Sequence, residues 1–350
     1  MSKRRPWFVG GAALAVAGLW AACGSEPKPS EATPKKPQPT EVASKTDSPK
    51  PTAQAHAPGP VVTPSLVVLG IAQDAGVPQT DCDCERCRAA AEDPMHRPRV
   101  SSLALMLDDG RSVLFDATPD LPAQLRHVAA LRGERPGARG RRPVAGIFLT
   151  HGHMGHYLGL AHLGFESAHT DRVPVHGTER MLALLRDHAP WSQLVAKQEI
   201  ELNELRDGQA VTLGVVDVVP VLVPHRAEFT DTLAFRFEGP ERTVLFIPDC
   251  DPWSRWEPAA LDALLDGVDV ALLDGTFYSG DELPGRDLTK IGHPLMVDTM
   301  QWLSEQPDAP QVRFIHLNHS NPALTDGSAA RQAIERRGFA VARRGEALAL

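Results

Sequence analysis

Short apolar runs, each ended by a glycine or a polar residue, recur along the chain after its first sixty residues. Four such runs, made mainly of Val, Leu, Ile, Ala and Phe, lie at 66–71, 144–149, 244–247 and 270–273. Runs of this length predict strands buried on both faces. Residues 103–115 predict a hairpin, the alternation in 211–223 predicts a strand, and residues 154–163 and 328–337 predict helices. The pattern therefore predicts an α/β domain.

The first 23 residues have the pattern of a targeting signal. Basic residues at 3–5 precede an apolar segment at 7–20, and small residues then lead to Cys23. This arrangement predicts a signal peptide, and its end resembles a bacterial lipobox. We therefore expect an exported lipoprotein, anchored at the periplasmic or outer-membrane face through a lipid on Cys23. The alternative is ordinary secretion, in which Cys23 is discarded.

Residues 24–64 are rich in Pro, Lys, Ser, Thr and Glu and nearly free of large apolar side chains. Such a segment buries too little surface to offset the entropy lost on ordering, so we expect a disordered tether. Residues 65–350 then form the folded domain, which is long enough for a large core. The formal net charge of -8 argues against a nucleic-acid partner, and the oligomeric state cannot be read from the sequence.

Three histidines, His151, His153 and His156, follow the apolar run that ends at Leu149. Alternate residues at a strand end point the same way, so the first two can share one cation. The third falls where the chain turns into a helix and can approach the same point. Imidazoles suit zinc, iron or copper. The stretch therefore predicts a metal site, whereas three unrelated surface histidines would be the alternative.

Later strand ends supply more candidate ligands. His225 follows the alternating segment, Asp249 ends the run at 244–247, and His316 ends a run at 312–315. One carboxylate oxygen can serve two ions, so we expect Asp249 to bridge two metals. A helix-capping role is the alternative.

Three other polar residues lie close to these strand ends. Asp274 ends the run at 270–273, and His293 precedes a predicted helix, where it could contact substrate, donate a proton or bind metal. Asp116 follows the hairpin and could either orient a metal-bound histidine or cap a helix.

Cys82, Cys84 and Cys87 form a C-x-C-x2-C cluster. Three thiolates at this spacing can hold one tetrahedral zinc ion when a fourth ligand joins them. A disulfide with one cysteine left over, or reactive thiols, are the alternatives in an exported protein. We favour zinc because three cysteines cannot all pair within the cluster. His319 lies three residues after His316 at a strand exit and faces another way, so we assign it as the fourth ligand.

The H-x-H-x-x-H stretch resembles the H-x-H-x-D-H signature of the metallo-β-lactamase superfamily, with Gly155 in place of the aspartate. The order of motifs from 65 to 350 resembles the branch that contains pyrroloquinoline quinone (PQQ) biosynthesis protein B. The matching segments include Leu69-Gly70, Asp116-Ala117-Thr118-Pro119, His156-x-x-Gly159-Leu160, Asp274-Gly275-Thr276-Phe277, Gly292-His293 and Phe314-Ile315-His316. The resemblance implies an αββα sandwich, with two mixed sheets flanked by helices and a metal at one edge.

The chain also departs from that branch. The biosynthetic proteins keep the aspartate and lack the first two histidines, whereas this chain has His151 and His153 and lacks the aspartate. The three cysteines with His319 resemble the structural zinc cluster of the cyclic phosphodiesterases of phosphonate catabolism. The resemblance therefore implies the fold more strongly than the reaction.

The superfamily resemblance implies a metal-dependent hydrolase that acts on a small phosphodiester or ester through a metal-bound hydroxide. Its candidate catalytic residues are Asp249, His293 as a general acid, and Asp274. Zinc is the expected active-site metal and iron the alternative, with one or two ions beside one structural zinc. Oxidation related to PQQ maturation, with iron or copper, and a non-catalytic metal-binding lipoprotein are the other hypotheses. The ligands of the first ion would be His151, His153 and His225, and those of the second His156, Asp249 and His316.

Overall fold

Residues 63–93 and 97–350 are described by the structure, which is a computed structural model. The predicted signal peptide, Cys23 and residues 24–62 of the predicted tether lie outside the described residues. Within the described ranges, no helix has the length and apolar character needed to cross a membrane.

Seven strands form the first sheet, in the order β14-β1-β2-β3-β4-β5-β6. Neighbours from β14 to β3 pair antiparallel, and neighbours from β3 to β6 pair parallel, so the sheet is mixed. Its strands are β1 (Ser65–Gly70), β2 (Ser102–Met106), β3 (Ser112–Phe115), β4 (Gly146–Phe148), β5 (Val173–Gly177), β6 (Ile200–Glu204) and β14 (Ala347–Ala349).

The second sheet also has seven strands, in the order β13-β12-β11-β10-β9-β8-β7. Here β10 to β13 pair parallel and β7 to β10 pair antiparallel. Its strands are β7 (Val211–Leu213), β8 (Val216–Val223), β9 (Thr232–Glu238), β10 (Thr243–Ile247), β11 (Val270–Asp274), β12 (Gln311–Ile315) and β13 (Ala340–Val341).

The two sheets pack face to face with helices on their outer faces. Strand β10 shows why its apolar run is continuous: Val244 and Phe246 point into the core between the sheets, while Leu245 and Ile247 pack under the helices of the outer layer. Each strand face is thus buried, as in other sheets covered on both sides. The described helices are α1 (Glu85–Glu92), α2 (Leu121–Leu131), α3 (Met154–Tyr157), α4 (Glu179–Asp187), α5 (Trp191–Ala196), α6 (Pro258–Leu265), α7 (Met296–Ser304) and α8 (Ala329–Arg336).

Phe115 lies at the centre of the core between the sheets. Its ring centroid is 5.1 Å from that of Phe148 in the same sheet and 4.6 Å from that of Phe237 in the opposite sheet. All three side chains are fully buried. Aromatic packing of this kind fixes the separation of the two sheets directly below the site described next.

Three local predictions from the sequence were wrong. The helix expected over 154–163 is one α-helical turn followed by a 3₁₀ segment at Leu158–Leu163. The strand expected over 211–223 is a hairpin, because Gly214 adopts φ +65° and turns the chain between β7 and β8. The helix expected to open near His293 begins at Met296, so that histidine lies in the preceding loop.

Candidate metal centre

The candidate ligands meet at one edge of the sandwich because the strands that deliver them run in the same direction. In the first sheet, β3 and β4 are parallel, and the second sheet brings β10, β11 and β12 together in parallel. β8 is antiparallel to β9, which is antiparallel to β10, so β8 also ends at this edge. Loops after these strands carry His151, His153 and His156 (after β4), His225 (after β8), Asp249 (after β10) and His316 (after β12).

One group of donors, which we call site 1, combines ligands from both sheets. Oδ2 of Asp249 lies 3.3 Å from Nε2 of His151 and 3.3 Å from Nε2 of His225. Nδ1 of His153 lies 2.8 Å from Nε2 of His151 and 3.9 Å from the same carboxylate oxygen. These four ligand atoms lie within 4.8 Å of one another.

A second group, which we call site 2, lies on the other side of the same carboxylate. Oδ2 of Asp249 is 3.9 Å from Nε2 of His156 and 4.0 Å from Nε2 of His316. The structure therefore brings all six histidine and aspartate ligands expected from the sequence to one place. It also puts Asp249 in site 1 as well as in site 2, between the two histidine groups.

The donor atoms fit a metal ion. Nε2 of His225, Nε2 of His316 and Oδ2 of Asp249 are buried and have no hydrogen-bond partner among the described residues. Buried polar atoms without partners are costly unless something else compensates them. At usual zinc bond lengths, nitrogen and oxygen ligands of a tetrahedral ion are about 3.4 Å apart. The 3.3 Å separations in site 1 agree with that spacing.

The second ring nitrogen of four of the five candidate histidine ligands lies within hydrogen-bond distance of a polar side chain. Metal-binding histidines depend on such contacts for their tautomer and orientation. The contacts are His151 Nδ1 with Thr150 Oγ1 at 3.0 Å, His153 Nε2 with Glu228 Oε2 at 3.2 Å, His156 Nδ1 with Asp116 Oδ2 at 2.7 Å, and His316 Nδ1 with Thr276 Oγ1 at 3.0 Å. Nδ1 of His225 lies 3.7 Å from Oδ1 of Asp251, which is too far for a hydrogen bond.

Asp116 contacts a candidate metal ligand and does not cap a helix. Its Oδ1 accepts hydrogen bonds from the backbone N–H and the hydroxyl of Thr150, and its Oδ2 faces His156. The residue has φ +69°, and His316 has φ +64°. Such backbone conformations are uncommon for residues other than glycine and tend to be kept at functional sites. The cap of α2 is Asp120 instead.

Gly159 holds the histidine loop against the loop that carries Asp116. Its N–H donates to the carbonyl oxygen of Ala117, whose own N–H donates to the carbonyl of His156. A Cβ at position 159 would lie 2.0 Å from the carbonyl oxygen of Thr118. Only glycine allows the two loops to approach this closely.

His293 lies between two carboxylates. Its Nδ1 is 3.0 Å from Oδ1 of Asp249 and 3.0 Å from Oδ2 of Asp274. Burial lowers the pKa of His293, but the two negative charges outweigh burial and raise the pKa to about 10.

Burial and charge also shift the ligands themselves. Burial raises the pKa of Asp249, but the surrounding histidines, His293 foremost, lower it well below its usual range. Burial and the nearby His156 lower the pKa of His151. For His156, burial lowers the pKa, yet Asp116 raises it well above the usual value. The metal centre thus brings charged groups of both signs together where they are buried from solvent.

The three cysteines and His319 form a separate group, the cysteine cluster. Nδ1 of His319 lies 3.5 Å from Sγ of Cys82, 3.9 Å from Sγ of Cys84 and 3.5 Å from Sγ of Cys87. Tetrahedral zinc with usual bond lengths would separate sulfur and nitrogen ligands by about 3.6 Å. None of the three cysteines is in a disulfide, so the geometry agrees with the zinc interpretation.

The cysteine thiols differ in their protonation. The contact with His319 lowers the pKa of Cys84 to about 6, whereas burial raises the pKa of Cys87 to about 11. A thiolate at Cys84 is thus available to a cation at neutral pH.

Sequence reasoning missed several polar residues of the centre, including Thr276, Glu228 and Asp74. Asp74 lies in the Gly/Pro-rich loop after β1, and its Oδ1 is 3.3 Å from Nε2 of His156. The one signal available was its place in a loop that follows a buried strand. By contrast, His176 lies outside the centre, and its ring stacks on Phe148 at 4.2 Å, as a structural residue would.

Comparison with known proteins gives a consistent result. Residues 111–317 match the family described as Beta-lactamase superfamily domain. The chain is 32% identical over 307 residues to coenzyme PQQ synthesis protein B of Methylobacterium nodulans, and the alignment covers 81% of the chain and 99% of that protein.

Two solved structures extend the comparison. Zn²⁺-bound PqqB from Methylobacterium extorquens has a TM-score of 0.67 and 27% identity, over 82% of the chain and 100% of that protein. A diphosphatase from the PhnP family has a TM-score of 0.59 over 82% of the chain and 97% of that protein, and at 24% identity this likeness shows the fold alone. The predicted αββα sandwich is confirmed.

Proposed function

The chain belongs to the beta-lactamase superfamily and, within it, to the family of coenzyme PQQ synthesis protein B; from this premise we propose that it is a metal-dependent hydrolase of a small phosphodiester or ester. The observation that carries the proposal is the position of Asp249. One oxygen of this carboxylate faces histidines of site 1 and of site 2, within 3.3 to 4.0 Å. Such an arrangement suits two neighbouring ions that act on one substrate.

A metal ion bound here supplies a Lewis acid that lowers the pKa of a bound water and polarises a substrate oxygen. Site 1 would hold one ion through His151, His153, His225 and Asp249. Site 2 would hold a second through His156, His316 and Asp249. Zinc is the ion we propose for both, because imidazole and carboxylate ligands suit it.

Protein side chains supply the remaining functions. His293 lines a cavity of about 390 Å³ beside the centre, together with Arg255 and Ile291. A leaving group in this cavity would meet the imidazole of His293, which is suited to donate a proton to it. Asp274 orients that imidazole through its contact with Nδ1.

Two arginines lie beside the segment that carries His293. Arg255 donates to the carbonyl oxygens of Thr289 and Ile291 at the cavity wall. On the other side, Cδ of Arg226 lies 3.3 Å from the point where a Cβ on Gly292 would stand. Both side chains flank the segment that carries His293, but each is already paired with a carboxylate: Arg255 with Asp251 at 3.3 Å and Arg226 with Glu228 at 3.6 Å. They therefore do not decide between a phosphodiester and a neutral ester.

The proposal is tested with bis(4-nitrophenyl) phosphate and 4-nitrophenyl acetate as probes of the zinc-loaded protein. We expect hydrolysis that is lost on chelation and restored by Zn²⁺, and lost in His151→Ala. His162→Ala is the matched control, since that histidine is close in sequence but exposed. Absence of hydrolysis of both probes by the fully loaded protein would contradict the proposal.

Oxidation related to PQQ maturation is the second candidate. It is favoured by the 32% identity to a protein named for coenzyme PQQ synthesis and by a ligand set rich in histidine, which also suits iron or copper. Bound iron or copper, with oxygen consumption, would support it. Tight metal binding without either activity would support the non-catalytic metal-binding protein.

We further propose that the protein is exported and anchored by a lipid on Cys23, as its first 23 residues predict. In a bacterial host, the full-length chain should fractionate with membranes and Cys23→Ser should not. Equal membrane association of both proteins would contradict the lipid anchor.

A further inference from the structure

We propose that Asp74, from the loop after β1, supplies a second carboxylate ligand to site 2 and takes the place of the side chain that Gly155 lacks. The inference rests on the proposed metal centre but not on hydrolysis. Oδ1 of Asp74 lies 3.3 Å from Nε2 of His156 and 3.7 Å from Nε2 of His316. These three ligand atoms lie within 4.8 Å of one another.

The geometry around Gly155 shows why residues 74 and 155 depend on each other. A Cβ on Gly155 would stand 2.3 Å from Oδ1 of Asp74 and 2.5 Å from its Cα. Any other residue at 155 would therefore overlap both the side chain and the backbone at 74. The loop after β1 occupies the space into which a side chain at 155 would project, and it brings a carboxylate there.

Backbone hydrogen bonds fix this loop beside His316. The N–H of Leu317 donates to the carbonyl of Ile71, and the N–H of Gln73 donates to the carbonyl of Leu317, at 2.7 and 2.9 Å. The side chain of Asn318 also donates to that of Gln73. Asp74 is the next residue, so its approach to site 2 follows from the bridge between Ala72 and Leu317, in the segments that follow β1 and β12.

When both rings are neutral, as metal binding requires, the hydrogen-bond pattern leaves two lone pairs facing the Asp74 carboxylate. Nδ1 of His156 faces Asp116, which can only accept, so the proton of a neutral ring lies there and Nε2 carries the lone pair. Thr276 donates its hydroxyl proton to Asp274 and therefore accepts from Nδ1 of His316. The Nε2 atom of His316 is then an acceptor as well.

Acceptors that face one another at this distance need a proton or a metal ion between them. Oδ1 of Asp74 and the two Nε2 atoms are all buried and lack a hydrogen-bond partner among the described residues. A single proton on His156 would leave the second imidazole unsatisfied. A metal ion would satisfy all three, and the 3.3 Å separation of His156 and Asp74 matches the approximately 3.4 Å expected between tetrahedral ligands.

The test measures zinc binding by the full-length protein. The protein is saturated with Zn²⁺, dialysed and analysed for zinc per chain, and the weaker ions are titrated against a chromophoric chelator. We expect three ions in the unaltered protein, one in the cysteine cluster and two in the centre. Asp74→Asn keeps the shape of the side chain. It should weaken the binding of one ion of the centre by more than about tenfold and leave the affinities for the other two ions unchanged.

Two further variants complete the test. Asp74→Glu retains a carboxylate and should bind the site 2 ion more tightly than Asp74→Asn. Asp81→Asn is the matched control, because it removes an exposed carboxylate from the same loop at φ +56°, which asparagine tolerates. It should bind zinc like the unaltered protein.

An unchanged site 2 affinity in Asp74→Asn would overturn the inference, as would an unaltered protein that holds only one ion in the centre at saturation. The outcome is independent of the reaction. Weaker zinc binding by Asp74→Asn, together with no hydrolysis by the unaltered protein, would keep Asp74 as a ligand and contradict the proposed function. Hydrolysis by the unaltered protein, together with unchanged zinc binding by Asp74→Asn, would keep the proposed function and contradict the role of Asp74.

Discussion

Thr150 in the first sheet and Thr276 in the second hold the two sides of the metal centre in the same way. Each hydroxyl donates to a buried aspartate, Asp116 or Asp274, at 2.9 and 2.7 Å. Each then lies 3.0 Å from Nδ1 of a candidate ligand, His151 or His316. The aspartate orients the hydroxyl, and the hydroxyl holds the proton on Nδ1, so that Nε2 faces the centre.

This relationship predicts the effect of replacing Thr276. Thr276→Val keeps the shape but removes the acceptor for Nδ1 of His316, so we expect the site 2 ion to bind roughly 10- to 100-fold more weakly. Thr276→Ser retains the hydroxyl and should bind close to normally. Chelator competition measures both. If the valine variant binds zinc as tightly as the serine variant, the hydroxyl does not orient the ligand.

The second prediction concerns His153. Its Nδ1 belongs to site 1, and it lies at the buried rim of the centre, so His153→Ala should remove the site 1 ion without unfolding the domain. Zinc content and circular dichroism check the two parts separately. His162→Ala should change neither. Unfolding of His153→Ala would mean that this histidine supports the core instead.

Cys84 provides a third prediction. Structural zinc contributes directly to folding, so Cys84→Ser should lower zinc content by one ion per chain and also lower the melting temperature. Asp83→Asn changes an exposed neighbour and is the control. An unchanged melting temperature would contradict the structural role of the cysteine cluster.

A fourth prediction addresses the core beneath the centre. Phe115 is fully buried and contacts aromatic rings of both sheets, so Phe115→Ala should lower the free energy of unfolding by about 3–5 kcal/mol. Chemical denaturation gives the value. Leu131→Ala, at an exposed apolar position, should cost far less.

The fifth prediction is a pH dependence outside the centre. The guanidinium groups of Arg139 and Arg132 lower the pKa of Glu134 to about 2. A lowered folded-state pKa stabilises the fold above the ordinary value near 4.5, and this stabilisation is lost as the pH falls towards 2. Glu134→Gln should therefore be less stable than the unaltered protein at pH 7, with the difference shrinking below pH 4.5 in thermal melts.

Much of the sandwich follows from local sequence, whereas part of the site does not. Both faces of β10 lie in apolar environments, so its continuous apolar run predicts a buried strand. The polar residue at the end of that run, Asp249, is therefore easily identified as a candidate ligand. Asp74 is different: it lies in a loop with no apolar pattern, and its role depends on the contact between the segments that follow β1 and β12. No sequence pattern identifies the hydroxyls of Thr150 and Thr276 as parts of the centre.

The 3₁₀ segment after α3 illustrates the same limit. Local propensity predicts one helix over 154–163, but contacts made elsewhere in the chain decide its form. The Gly159 N–H donates to Ala117 of another loop, and the helix gives way to tighter turns there. Sequence periodicity contains no information about such a contact.

Donors from both sheets meet at the shared carboxylate, which constrains the order of assembly. His151 and His153 come from one sheet, and His225 and Asp249 from the other, so neither half of the domain holds a complete binding site. An ion that uses all four ligands can therefore bind only after the two sheets have packed together. Once bound, the ion would link the two sheets. Any partial opening that separates the sheets would first have to break its bonds to the ligands of one sheet.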